Sequence, residues 1–262
     1  MSCNLTQVPR PMKLIAALLI ALPFPALASE GLSFSSFTTR IESGGYIDGE
    51  TFQTVSTTAR AVKPLSWGWL GLDLGLAHGQ AGGARSLTTA SALVHLSAEP
   101  LSWLTVGPYG WIGAQSRGGG VWALGVEALV YSRTGWSGEL YFGETRGGHV
   151  GAEGYSTNRG LTISYQPDRP IGGHFFFAKD TLNHPASDHD YYRAGLGIDA
   201  TIPLDQTHDM RVSLELGLHH YDDRDQRENW VGLSVSIPLG ERSVRKAGFT
   251  SRRGVLHELP LP

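Results

Sequence analysis

Two short stretches carry side chains able to split an ester. In 94-VHLSA-98, His95 stands two residues before Ser97, and in 184-HPASDHD-190, His184 and His189 flank Ser187. A histidine activates a serine hydroxyl by taking its proton, with a third polar group orienting the ring. His95 and Ser97 share a face if the segment is a strand. The second stretch reads equally as ordinary solvated turn chemistry. His184, Asp188, His189 and Asp190 also offer ligands to a divalent metal, and Asp222, Asp223 and Asp225 offer hard oxygens to calcium or to cations bridging lipopolysaccharide. Neither set has EF-hand or zinc-motif spacing, so no metal or other cofactor is expected. His219 and His220 are neighbours, so on a strand they point opposite ways and share no ligand.

A second group of residues is ionic. Asp73, Glu127, Glu139, Asp199 and Glu215, with Arg193 and Arg211, interrupt otherwise apolar or small segments. On one shared inner surface they would make a charged constriction selective for small polar or cationic solutes. The alternative is a structural ion-pair network filling a narrow interior.

The elements that must hold these residues follow a period of two. In 211-RVSLELGLHHY-221, Val212, Leu214, Leu216 and Leu218 oppose Arg211, Ser213, Glu215, Gly217 and His219. The segments 69-WLGLDLGLAH-78, 192-YRAGLGIDATI-202 and 231-VGLSVSIPL-239 alternate in the same way. Side chains on a strand alternate faces, so each segment has one apolar face and one small or polar face. Twelve such segments are expected, near 31–42, 51–62, 68–78, 86–97, 103–115, 120–131, 136–144, 158–166, 173–179, 191–202, 210–220 and 230–239. Alternation slips in the first two, and Pro108 disturbs the fifth. Short connections are expected to alternate with long ones. Pro64, Pro100, Pro167, Pro203 and Pro238 end even-numbered segments at intervals of 36, 67, 36 and 35 residues. The 67-residue interval spans two repeats. Proline donates no ladder hydrogen bond, so it suits strand ends, and about 35 residues make one up-and-down hairpin. The doubled Pro-Leu-Ser-Trp of 64–67 and 100–103 punctuates that repeat.

Tryptophans follow the rhythm. Trp67, Trp69, Trp103 and Trp136 gather at one end of the segments, and Trp122 and Trp230 lie near the other with Tyr192 and Tyr221. Amphipathic rings favour a water–lipid boundary, so two aromatic belts are expected.

The whole chain fits this pattern. Its 262 residues include 34 glycines and 10% aromatics, only 17% are charged, and the net charge of −3 gives no basic surface for nucleic acid. Arg10 and Lys13 precede the apolar run 14–22, and 26-ALA-28 follows, so residues 1–28 read as a secretory signal peptide. Residues 12–28 are a complete signal alone, which makes Met12 a candidate start. The single cysteine, Cys3, would leave with the signal. A β-propeller would need about four strands per 40–45 residues. A soluble sandwich would carry polar outer faces rich in Lys, Glu and Thr. Small residues opposite leucine rows instead suit a lipid-facing exterior and a polar interior, and strands in lipid must close on themselves. The expected fold is all-β: a closed, antiparallel, up-and-down transmembrane barrel over residues 29–240, with about 12 strands and a range of 10–14.

These features resemble the Gram-negative outer-membrane β-barrel proteins as a class. The resemblance includes 230-WVGLSVSIPL-239, similar to the terminal assembly signal of that class, with Gly232 followed by Val235 and Ile237 at alternate places. Members usually stop there at an aromatic residue; this chain has Leu239 and continues for 23 residues. The resemblance implies outer-membrane lipid, lipopolysaccharide and the barrel assembly machinery as partners, with both termini and the short turns in the periplasm. The tail 241–262 has five Arg/Lys against two Glu. It is expected to be a disordered basic end; the alternatives are a lumen plug and a dock for a periplasmic partner. The functional expectation is a narrow passive pore for small polar solutes or saccharides, or a structural surface barrel. A lipid-modifying hydrolase of the lipid A deacylase or phospholipase type is the runner-up, and a secreted soluble β-protein is third.

Overall fold

A computed structural model of the chain describes residues 33–46, 51–81, 85–116, 119–147, 154–166, 170–184, 187–204, 209–222, 226–238 and 249–250. Residues 1–28, read above as a signal peptide, and most of the tail lie outside the described residues, as do Asp223 and Asp225. The described residues form twelve strands: β1 (Ser33–Tyr46), β2 (Thr51–Leu65), β3 (Gly68–Ala81), β4 (Arg85–Leu101), β5 (Leu104–Gln115), β6 (Gly119–Tyr131), β7 (Trp136–Gly147), β8 (Tyr155–Tyr165), β9 (Ile171–His184), β10 (Ser187–Pro203), β11 (Asp209–Tyr221) and β12 (Gln226–Pro238). Each overlaps one expected segment.

Every strand pairs antiparallel with its sequence neighbours, and β1 pairs with β12 to close the barrel. Closure leaves no sheet edge with unpaired backbone groups, which a lipid-exposed sheet requires. The seam runs from Ser36↔Pro238 to Tyr46↔Glu228. The rim that holds Ser33 and Pro238 is the near rim; the rim that holds Tyr46 is the far rim.

The alternating pattern decides which way each side chain points. Leu196 and Ile198 are 65% and 63% exposed, and Leu214, Leu216, Leu218, Val231 and Leu233 are exposed beside them on β11 and β12. Their alternates Asp199, Glu215 and Ser213 are buried inside. The greasy rows therefore look outward and the polar rows inward.

Connections differ from expectation. Near-rim connections are 66–67, 102–103, 132–135, 166–170 and 204–208; far-rim connections are 47–50, 82–84, 116–118, 148–154, 185–186 and 222–225. The far ones are not consistently longer. The ladders of β9 and β10 run to Ser187↔His184 and absorb most of the expected loop, because continued pairing satisfies backbone groups that a loop would leave to water.

Pro108 sits inside β5, where a proline costs a ladder bond. Pairing with β4 is recorded at His95↔Tyr109 and resumes at Ala98↔Val106, while Pro108 stays paired in register with Val126 of β6. The missing N–H is thus confined to the β4 side.

Candidate lumen site

The inward rows bring charged residues from nine strands together in two groups. The first spans β9 to β12 and β1. Arg40 grips Glu215 with two parallel bonds, Nη1 to Oε1 at 2.8 Å and Nη2 to Oε2 at 2.6 Å. Arg40 also donates to Glu42, which receives a second bond from Arg193. His174 lies between two carboxylates, with Nδ1 2.9 Å from Asp199 Oδ2 and Nε2 3.2 Å from Glu215 Oε1. Arg211 shares the inward row of β11 with Glu215 and is within electrostatic reach of Asp199. Bidentate guanidinium–carboxylate geometry of this kind fixes orientation as well as charge.

The second group spans β2 to β7. Arg60 donates to both oxygens of Asp73, at 2.6 and 2.5 Å. The two residues are direct register partners across the 66–67 hairpin. His95 Nδ1 is 2.7 Å from Glu127 Oε1, and its Nε2 is 3.4 Å from Asp73 Oδ2. Glu139 on β7 accepts from the backbone N–H of Thr250 at 2.8 Å and from its hydroxyl at 3.0 Å.

Aromatic side chains fill much of the space between. Trp230 is 3% exposed and packs with Phe52, Phe176, Tyr191 and Tyr221. The guanidinium of Arg193 lies over its ring, 4.5 Å from the centroid. On the other wall Tyr109, Trp111, Tyr141 and Leu93 are packed together, and Tyr109 donates to Asn158 Oδ1 at 2.7 Å.

Glycines on the inner face do not leave the lumen empty there. A Cβ on Gly217 would run into the Trp230 indole, one on Gly232 would come within 3.0 Å of it, and one on Gly197 would strike the His174 imidazole. The missing side chain lets a large ring from a neighbouring position lie flat on the wall.

All seven lumen candidates therefore face inward. Asp199 and Glu215 meet at His174; Asp73 and Glu127 meet at His95; Arg193 and Glu139 join Glu42 and the tail. Sequence reasoning missed Arg40, Glu42, Arg60 and His174. The first three lie in β1 and β2, where alternation slips. Arg60 was reachable in principle, because a two-residue hairpin at 66–67 places it opposite Asp73.

Two of six belt tryptophans change sides. Trp67, Trp103, Trp122 and Trp136 are exposed on the outside. Trp69 instead lies inside against His95 and Phe249, and Trp230 is buried in the lumen. Parity explains both: Trp69 shares a face with Asp73, and Trp230 with Gly232.

The ester-cleaving pairs do not assemble among the described residues. Both ring nitrogens of His95 face carboxylates, and the buried Ser97 hydroxyl has no hydrogen-bond partner. The side chains of His184 and Ser187 lie outside the description. No group of three or more His, Cys, Asp or Glu among the described residues is arranged to hold a metal ion. Val235 and Ile237 of β12 pair with Thr39 and Phe37 at the seam, so the residues similar to an assembly signal are those that close the barrel.

No family model matches the chain, and no curated protein sequence matches it. Solved structures do. An outer-membrane channel from Pseudomonas putida F1 superposes with a TM-score of 0.56 at 8% identity, covering 79% of this chain and 96% of that one. The NanC porin gives 0.52 at 8% identity, covering 77% and 100%. The KdgM porin gives 0.50 at 11% identity, covering 76% and 97%. At these identities the likeness concerns architecture alone: the closed antiparallel barrel of this chain resembles those of outer-membrane β-barrel proteins.

Proposed function

We propose that this protein resides in the outer membrane as a narrow passive channel for small polar solutes, saccharides among them. The observation that carries the reading is the pair of separate ionic networks lining opposite walls. Replacing buried ion pairs with well-packed apolar groups is often neutral or stabilising, so stability alone does not account for two such networks. Rings of charge on a pore wall select permeating solutes by sign and size. Twelve strands fall between eight, whose interior is filled by side chains, and sixteen, which enclose a wide aqueous channel. The outward leucine and valine rows suit acyl chains, and lipopolysaccharide and the assembly machinery are the partners that follow from this placement. By the same reading both rim-proximal termini face the periplasm.

Planar-bilayer recording tests the channel. Asp199→Asn and Glu215→Gln are each expected to lower the preference for cations over anions without abolishing conductance. Complete absence of conductance at every voltage, in the full chain and in a chain ending at Leu239, would leave a structural surface barrel instead.

A further inference from the structure

Phe249 is wholly buried, and the surfaces that bury it belong to the inner wall of the barrel. Its ring stacks on His95, with centroids 5.8 Å apart and planes 10° from parallel. The Trp69 ring lies 5.7 Å away on a tilted approach. The next residue, Thr250, occupies both oxygens of Glu139 with its N–H and its hydroxyl. A hydrophobic slot therefore adjoins a carboxylate that takes two donors from one residue. That combination specifies an occupant: an aromatic side chain followed by a hydroxyl residue. A buried carboxylate that accepts charge-assisted bonds is a directional anchor.

The three wall residues come from β3, β4 and β7, and the occupant comes from beyond β12. The eleven steps from Pro238 to Phe249 reach at most about 36–40 Å. Pro238 ends its strand on the near rim, and Trp69 is the second residue of β3 on that same rim.

We infer that Phe249 and Thr250 form a resident plug that docks into a socket of Trp69, His95 and Glu139 in the near-rim part of the lumen. As a seat this stands on the contacts above. As a closure it rests on the channel reading.

Thiol chemistry tests the seat directly. Cys3 is the only cysteine, so Cys3→Ser gives a thiol-free background. In that background Thr250→Cys with Glu139→Cys is expected to be bridged by a short bis-methanethiosulfonate, which joins the two thiols through reducible disulfides by exchange, releases methanesulfinate, needs no oxidant and makes up the length lost with the glutamate. Thr250→Cys with Thr54→Cys, near the far end of β2, is expected not to be bridged. Equal cross-linking in both pairs, or none in the first, overturns the seat. Because the Glu139 variant can disturb folding, Phe249→Cys alone supplies a second readout. It is expected to resist a charged, membrane-impermeant maleimide, and rapid labelling in folded barrels overturns the seat. Conductance then separates the two claims. A locked barrel that conducts only after reduction supports the plug as a closure. A lock that forms while neither state conducts keeps the seat and removes the channel.

Discussion

Arg40 and Glu215 stand on strands separated by β12, and their side chains meet through two parallel bonds of 2.8 and 2.6 Å. Gly232 lies on the strand between them, where a Cβ would come within 3.3 Å of Arg40 Nη2. The pair thus spans the seam that closes the barrel. We predict that Glu215→Gln, which leaves Arg40 without its bidentate partner, costs about 3–5 kcal/mol of unfolding free energy. Urea unfolding of barrels refolded in lipid measures it. Arg40→Met combined with Glu215→Met should recover much of the loss, and a strictly additive double variant would show that the two residues do not act as a pair.

The lipid-facing assignment predicts a depth-dependent penalty. Ile198 lies mid-way along the exposed apolar row of β10. Ile198→Lys is expected to destabilise the barrel by about 2–4 kcal/mol in a bilayer, as for a charge near the midplane. The same change should matter far less in a short-chain detergent. An equal effect in both media would mean that this row does not contact acyl chains.

Tryptophan fluorescence distinguishes the two sides of the wall. In single-tryptophan variants, lipids brominated near the headgroup are expected to quench Trp67, Trp103 and Trp136. Trp69 and Trp230 should be spared, because one packs against Phe249 and the other is sealed among Phe52, Phe176 and Tyr191. Strong quenching of Trp230 would reverse the facing of β12.

Trp230 also fills the interior above Gly217 and Gly232. Trp230→Ala is expected to cost about 3–5 kcal/mol, the range for truncating a large buried aromatic. If this is the channel it is proposed to be, the same variant should raise single-channel conductance. Unchanged conductance with lowered stability would place the ring outside the permeation path.

Much of this architecture was legible because period-two alternation is local. Leu214, Leu216 and Leu218 announce their facing within a single segment, and so do Asp199 and Glu215. The same parity also held the answer for Trp230, which shares a face with Gly232; grouping it with the belt tryptophans by position along the strand obscured that. Arg40 and Glu42 were harder. The β1–β2 register shifts between Phe34 and Ser36, so the alternation of β1 is broken where it begins. The socket for Phe249 was out of reach of local pattern altogether. Its wall residues lie more than a hundred positions upstream on three strands, and nothing in 248-GFT-250 names them. Connection lengths failed for a different reason. Polar, turn-rich composition near His184 and Ser187 looks like a loop, yet cross-strand pairing continues through it.

The closing seam has a kinetic meaning. Eleven of the twelve strand junctions link neighbours in sequence and can form as hairpins while the chain is still incomplete. The twelfth joins Thr38 to Ser236, 198 positions apart, through a hydroxyl–hydroxyl bond of 2.9 Å. Contacts of such long range bear the largest loop-closure entropy and come late. Until then β1 and β12 each expose a sticky flank, open to adding a foreign strand. Those two flanks stay open to mispairing for as long as the ring is unzipped.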